Sequence, residues 1–173
     1  DALGNIIEAE QNALASRYTY DARNQVKTMV DAANNTQSYD YDTFGNVIRA
    51  EDGLGVTLYR YDLLNRVQAE ISAQGYALAN ASGNNLTIQQ QEAIYTQWAT
   101  QFAYDTVGNL LSVTRPNNQV VRYQYDALGR NVATRNAMGE LFVQRFDAIG
   151  NATQEITYGY AYAVGSFTPR AND

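Results

Sequence analysis

Along most of the chain apolar and polar positions alternate in short runs, the period-2 signature of strands half-buried on a sheet. Tyr59 and Tyr61 share one face of such a run, and Leu58 and Arg60 share the other. Tyr39 with Tyr41, Tyr123 with Tyr125, and Phe102 with Tyr104 repeat the arrangement. Between them lie runs of ordinary strand length, such as 46–51 and 110–114. Aromatic rings at equivalent positions of successive runs are expected to stack into ladders across the sheet, each cross-strand pair contributing about 0.2–1 kcal/mol.

The runs are punctuated at a fixed period. An Asp follows a Tyr at 21, 42, 62, 105 and 126 and a Phe at 147, and Asp1 occupies the same place at the start of the chain. The intervals are 20, 21, 20, a double step of 43, then 21 and 21. Three residues after each Asp comes Gly or Asn: Gly4, Asn24, Gly45, Asn65, Gly108, Gly129 and Gly150. Ten residues later come Asn34, Gly55, Gly75, Asn118 and Gly139. Gly and Asn tolerate a left-handed backbone, so each of these positions is expected to hold a positive φ in a tight turn. The aspartates are expected to accept hydrogen bonds from backbone N–H groups two residues on. The prediction is an all-β chain, one antiparallel hairpin per repeat of about 21 residues, joined into a curved or spiralling strip.

The double step between Asp62 and Asp105 holds either a degenerate repeat or an insertion, placed at 76–101. Residues 79–86 read as a polar loop, and Thr87-Ile88-Gln89-Gln90 reads as a capping box. From Ile88 to about Thr100 the residues are good helix formers, with Ile94, Trp98 and Phe102 four apart. This predicts one short helix near 87–100, laid on the sheet by its Ile94/Trp98 edge. The repeat region is expected to run over 1–157, with 158–173 as a diverging last strand or a linker. Because the chain opens inside a repeat, it reads as a fragment of a longer polypeptide.

Composition narrows the chemistry. Tyrosine is abundant, at 14 of 173 residues, as suits a pleated surface, whereas Cys and His are absent. Without them a Ser-His-Asp or Cys-His triad, a disulfide framework and a zinc site of the usual ligands are all excluded from this chain. A net charge of −6 argues against a nucleic-acid surface, which is built from Lys and Arg, and no apolar run is long enough for a membrane helix. No Gly-rich phosphate loop joins a strand to a helix. Asp40, Asp42 and Asp52 could gather a hard cation, but the fixed place of Asp42 before a turn gives it a structural role first. Tyr59, Tyr61, Tyr123 and Tyr125 could contact a sugar through ring face and hydroxyl, although ladder packing accounts for the same spacing. The sequence supports no enzymatic activity and no cofactor.

The segments 125–130 (Tyr-Asp-Ala-Leu-Gly-Arg), 41–46 (Tyr-Asp-Thr-Phe-Gly-Asn) and 104–109 (Tyr-Asp-Thr-Val-Gly-Asn) resemble the YD repeat of the RHS family, and the likeness recurs in phase over most of 1–157. The chain departs from the pattern at Asn24, Asn65 and Phe146, swaps that a turn and an aromatic row should absorb. The resemblance implies a β-strip that spirals into a hollow shell, as in bacterial Rhs toxins, the cocoon of Tc toxins and the barrel of teneurins. It further implies a secreted or cell-surface setting, edge-strand pairing with the rest of a shell, and an enclosed toxin or effector domain. No Asp-Pro-x-Gly segment of the kind that ends the family's repeat region is present, so the chain is expected to be shell wall alone. A carbohydrate- or protein-binding surface module, or a self-associating β-strip, is the alternative.

Overall fold

The computed structural model describes residues 1–11, 14–79 and 88–159. They form two compact units, Asp1–Ala99 and Thr100–Asp173. The first holds β1 (Glu8–Gln11), β2 (Leu14–Tyr20), β3 (Val26–Val30), β4 (Thr36–Tyr41), β5 (Val47–Asp52), β6 (Gly55–Tyr61) and β7 (Val67–Ile71), followed by helices α1 (Ala73–Ala79) and α2 (Ile88–Trp98). The second holds β8 (Thr100–Tyr104), β9 (Leu110–Thr114), β10 (Val120–Tyr125), β11 (Asn131–Arg135), β12 (Leu141–Phe146) and β13 (Ala152–Tyr158). Within each unit every strand pairs antiparallel with its neighbours in sequence. The expected all-β hairpin strip is the fold that forms.

Register explains the repeat. Each hairpin closed by a motif Asp carries a bulge just before the motif, so that Tyr41 faces Val47 while Asp40 faces Arg49, and Tyr61 faces Val67 while Arg60 faces Ala69. The same shift recurs at Tyr20, Tyr104, Tyr125 and Phe146. A bulge inserts one residue and sharpens the local twist, which is how a repeated strip acquires a repeated bend.

The pairing corrects the expected aromatic ladder. Tyr18 faces Met29, Tyr39 faces Ala50, Tyr59 faces Glu70, Phe102 faces Val113 and Tyr123 faces Thr134. The motif aromatics fall on every second strand, so equivalent rings start from backbones two interstrand spacings, roughly 9.5 Å, apart. That exceeds the 4.5–7 Å centroid separation of interacting rings. The residues directly opposite these rings are not aromatic, so the rows are not built from directly opposed aromatic pairs.

The break in the period is a helical insertion. Its second helix is the expected one, though it ends at Trp98, and Phe102 lies in β8 and not on its edge. Thr87, the expected cap, and most of the expected polar loop lie outside the described residues, as do residues 160–173. The first helix was not anticipated from the sequence, and it overturns the turn assigned to Gly75. Ser72 caps α1, its Oγ accepting from the Gly75 N–H at 3.3 Å. Gly75 is buried in the helix because a Cβ there would stand 3.3 Å from Ile71 Cγ2 and 3.4 Å from the Trp98 carbonyl oxygen. Glycine serves close packing at this position and not a positive φ.

The insertion makes the main core of the first unit. Ala69, Ile71 and Ala99 are buried there, with Leu58, Tyr76, Ile94, Tyr95 and Trp98 packed against them. Arg60 on β6 lies 3.5 Å from the centroid of the Tyr95 ring and pairs with Glu92 at 2.8 Å, fastening α2 to the sheet.

Candidate functional site

The feature that recurs most regularly is the edge where the Asp turns lie, built the same way seven times. In each turn the residue three after the Asp donates its N–H to the Asp carbonyl, at 3.0–3.3 Å. In each, Oδ1 of the Asp accepts the N–H groups two and four residues on, as with Phe44 at 2.8 Å and Asn46 at 2.9 Å for Asp42. Asp21, Asp62, Asp105, Asp126 and Asp147 do likewise. One carboxylate oxygen thereby replaces the partner that a three-residue hairpin loop denies its own backbone. The turn closes through a left-handed residue, with φ of 67° at Asn24, 91° at Gly45, 59° at Asn65, 104° at Gly108, 75° at Gly129 and 95° at Gly150.

The second carboxylate oxygen is used too, by a residue the sequence analysis passed over. Four residues after the Asp stands Asn5, Asn46, Arg66, Asn109, Arg130 or Asn151, whose side chain donates to Oδ2 at 2.6–3.0 Å. Gln25, the exception, reaches the carbonyl of Gly45 in the next turn at 3.4 Å. Others also extend forward: Asn46 Nδ2 donates to Asn65 Oδ1 at 2.9 Å, Asn5 Nδ2 to Asn24 Oδ1, and Arg130 Nη1 to the Asp147 carbonyl at 3.5 Å. Successive turns are linked along the edge. The signal was present in the sequence as Asn, Gln or Arg immediately after the left-handed position of each of the seven Asp turns.

Hydrogen bonding to the ionised form holds the carboxyls of Asp42, Asp62, Asp105, Asp126 and Asp147 below the usual carboxylate range. The Asn46 side chain is the largest influence on Asp42, as Asn151 is on Asp147, and backbone N–H groups of Arg66 and Arg130 lead for Asp62 and Asp126. At Asp105 desolvation is the largest influence and pushes upward, but Asn109 and the turn N–H groups together outweigh it. The opposite edge contains the same device in places. Asp31 accepts from Ala33 and Asn35, and Asn136 accepts from Met138 and Glu140 through its amide oxygen.

The motif tyrosine has its own task. Tyr20 donates its hydroxyl to the Ile6 carbonyl at 2.7 Å, Tyr41 to Val26 at 2.7 Å and Tyr61 to Val47 at 2.9 Å. In each case the acceptor is five residues after the preceding motif Asp, one hairpin back. The ring reaches the adjacent strand, which belongs to the preceding hairpin, and so ties two successive hairpins together. Phe146 lacks the hydroxyl, and the Arg130 guanidinium lies 4.6 Å from its ring centroid instead.

The candidate sugar contacts fall in two places. Tyr59 and Tyr61 are half-buried in the first unit, where burial raises both phenol pKa values and Tyr61 spends its hydroxyl on Val47. Tyr123 and Tyr125 line an open groove of about 540 Å³ between the Asp105 and Asp126 turns. A groove of about 510 Å³ lies between the Asp21 and Asp42 turns. Asp40 pairs with Arg49 at 3.7 Å and Asp42 is committed to its turn; no cluster able to hold a metal ion occurs among the described residues.

Comparison with known proteins points the same way as the turn edge. The chain's fold is similar to that of the crystal structure of TcdB2-TccC3-Cdc42, with a TM-score of 0.55 and 16% identity over 86% of this chain and 9% of that one. It is also similar to the Photorhabdus luminescens Tc holotoxin pore, with a TM-score of 0.55 and 14% identity over 88% of this chain and 9% of that one. The chain thus spans under a tenth of the length of these structures' chains. A search of curated proteins found no match. The family model of the Teneurin YD-shell matches residues 1–162, and the chain belongs to that family.

Proposed function

We propose that this chain is a non-catalytic wall segment of a YD shell that encloses a toxin or effector domain of a secreted protein. Its membership of a shell family gives it a structural shell role. The observation that carries the finer reading is how each repeat spends its polar groups. The motif Asp closes its own turn, the residue four later binds that Asp or the next turn, and the motif Tyr reaches back one hairpin. Groups committed in this way build a wall, and little of their chemistry is left for a substrate.

The test is protease protection of the domain that the complete polypeptide would enclose. Weakening the wall with Gly129→Val should expose that domain to cleavage that the parent resists. Equal cleavage of the domain in both proteins, with the wall folded in the parent, would sink the enclosing role. A second reading, carbohydrate contact, draws on the groove that holds Tyr123 and Tyr125. Calorimetric titration with oligosaccharides should then give a signal that Tyr123→Ala abolishes, and an absence of heat removes it.

A further inference from the structure

Successive Asp turns are joined by side-chain donors, and one pair of turns has no such donor to offer. Asn5 reaches Asn24 and Asn46 reaches Asn65, amide to amide. Elsewhere the donor is a guanidinium: Arg23 Nη1 donates to the Asp42 carbonyl at 3.3 Å, and Arg130 Nη1 to the Asp147 carbonyl at 3.5 Å. Between the Asp105 and Asp126 turns the chain can make neither link. Val107 stands where Arg23 stands and has no polar hydrogen to give. Gly129 stands where Asn24 and Asn65 stand and has no side chain to accept from Asn109.

The open groove of about 540 Å³ lies at that place. It shares its repeat positions with the groove of about 510 Å³ in the first unit. Both are lined by an Asp and the residues two and four after it, and by the aromatic, Asp and following residue of the next turn. In the first unit these positions include Arg23, so the chain supplies its own guanidinium to that groove beside Tyr41 and Asp42. In the second unit the lining holds Asp105, Asn109, Tyr123, Tyr125 and Asp126, and none of its described residues is Lys or Arg. Gln124 brings a buried amide oxygen without a donor. Arg130 pairs with Asp126 from outside the lining, but its Nη1 is given to the Asp147 carbonyl. Acceptors and ring faces gathered without a lining cation suit a planar cationic donor.

We propose that the groove between the Asp105 and Asp126 turns receives an arginine side chain of a partner polypeptide, in the place that Arg23 takes in the first unit's groove. The Asp126 carbonyl is the acceptor equivalent to that of Asp42, and the rings of Tyr123 and Tyr125 offer faces to the cation. Arginine fits better than lysine, because its planar fork can bond a carbonyl and stack on a ring at once. The chain's net charge of −6 draws a basic segment toward it. This goes beyond the wall reading and leaves it intact. It gives the groove a cation where the carbohydrate reading gives it a sugar.

The test titrates the isotope-labelled 173-residue chain with N-acetyl-arginine methylamide to about 50 mM, a ceiling set for millimolar affinity, and follows the amide chemical shifts. Saturable shifts should gather at Val107, Asn109, Gln124 and Leu128. The citrulline counterpart, of the same shape without the charge, should bind roughly tenfold more weakly or less. Val107→Arg installs the donor that the chain lacks, at a side chain 82% exposed and so without harm to the fold, and should abolish the binding. Ala33→Arg adds the same charge at the equivalent point of the Asp31 turn in the first unit and should leave the binding unchanged. The proposal is overturned by an absence of saturable shifts, by equal binding of the citrulline compound, by a Val107→Arg chain that binds like the parent, or by equal loss in both Arg variants. An oligosaccharide that moves the same amides, where the arginine compound does not, also overturns it and favours the sugar.

Discussion

The left-handed turn position allows a graded test of why Gly stands in some repeats and Asn in others. At Gly129, φ is 75° and a Cβ would meet nothing closer than Asn109 Oδ1 at 3.7 Å, ordinary contact. Space is therefore not the constraint, and the cost of any substitution there is backbone strain. The four Asn residues at positive φ sit at 59–67°, inside the left-handed well near +50 to +70°. Gly129 lies only 5° beyond that edge, whereas Gly108 at 104° lies 34° beyond it. Gly129→Asn should accordingly be nearly neutral, and Gly108→Asn should cost about 1–3 kcal/mol. Gly129→Val should cost as much as Gly108→Asn, because a β-branched residue at positive φ is a true outlier. For a chain of this size each kcal/mol moves the melting temperature by roughly 2–4 °C. Thermal melts followed by circular dichroism should rank the parent with Gly129→Asn above Gly108→Asn and Gly129→Val. Equal melting of the two Asn variants, or of Asn and Val at 129, would refute the φ argument.

Removing the phenol hydroxyl with Tyr61→Phe should cost about 0.5–1.5 kcal/mol, the net worth of the bond to Val47, and leave Tyr59→Phe near neutral; equal losses in urea titrations would count against the stitching role. Phe146→Tyr, which restores the motif, should stabilise the second unit, and a lowered urea midpoint would contradict it. Ile71→Ala, at a fully buried site under the helices, should cost about 2–5 kcal/mol, read by the fluorescence of the single tryptophan, Trp98, which packs against that cluster. Acid should loosen the turns. The folded pKa values of Asp42, Asp62, Asp105, Asp126 and Asp147 are depressed, so their stabilisation is complete above the unfolded value, roughly pH 4, and is lost as pH falls through the folded values. A urea midpoint unchanged between pH 7 and about pH 3 would show that the carboxylates do not matter.

What the sequence made legible is what five consecutive residues decide. Asp42 and Gly45 belong to one loop, so their roles can be read without knowing where any other strand lies. The hydroxyl of Tyr61 is different, since its acceptor Val47 lies on the neighbouring strand β5 of the preceding hairpin and is brought alongside only by the register of that pairing. No local pattern encodes that, and ladder stacking was the natural inference from spacing alone. Gly75 misled for a related reason. It fell in phase with the turn glycines, yet Ser72 had already capped a helix three residues earlier, and phase was the weaker signal. Leu3, Phe44, Leu64, Val107, Leu128 and Ile149, each two residues after a motif Asp, were readable as letters from the start, but their exposure is a property of the folded turns.

Adjacency of Tyr and Asp in the motif follows from these roles. A strand must end where its hairpin turns, so the residue that closes the turn and the residue that ties back to the previous hairpin are neighbours. In the first unit a repeat is thus bound to the one before by a phenol and to the one after through turn contacts such as Asn46 to Asn65. Stability built this way is a sum over neighbours, not the product of one core. The burial agrees: among the described residues only Val56, Ala69, Ile71, Ala99 and Ala133 are buried hydrophobics, and all but Ala133 belong to the first unit, where the helices cover the sheet. Elsewhere the faces are half-open, held by hydrogen bonds that water can contest. A strip of this kind gains most from being laid against more of its own kind, which is the physical sense of building a shell from it.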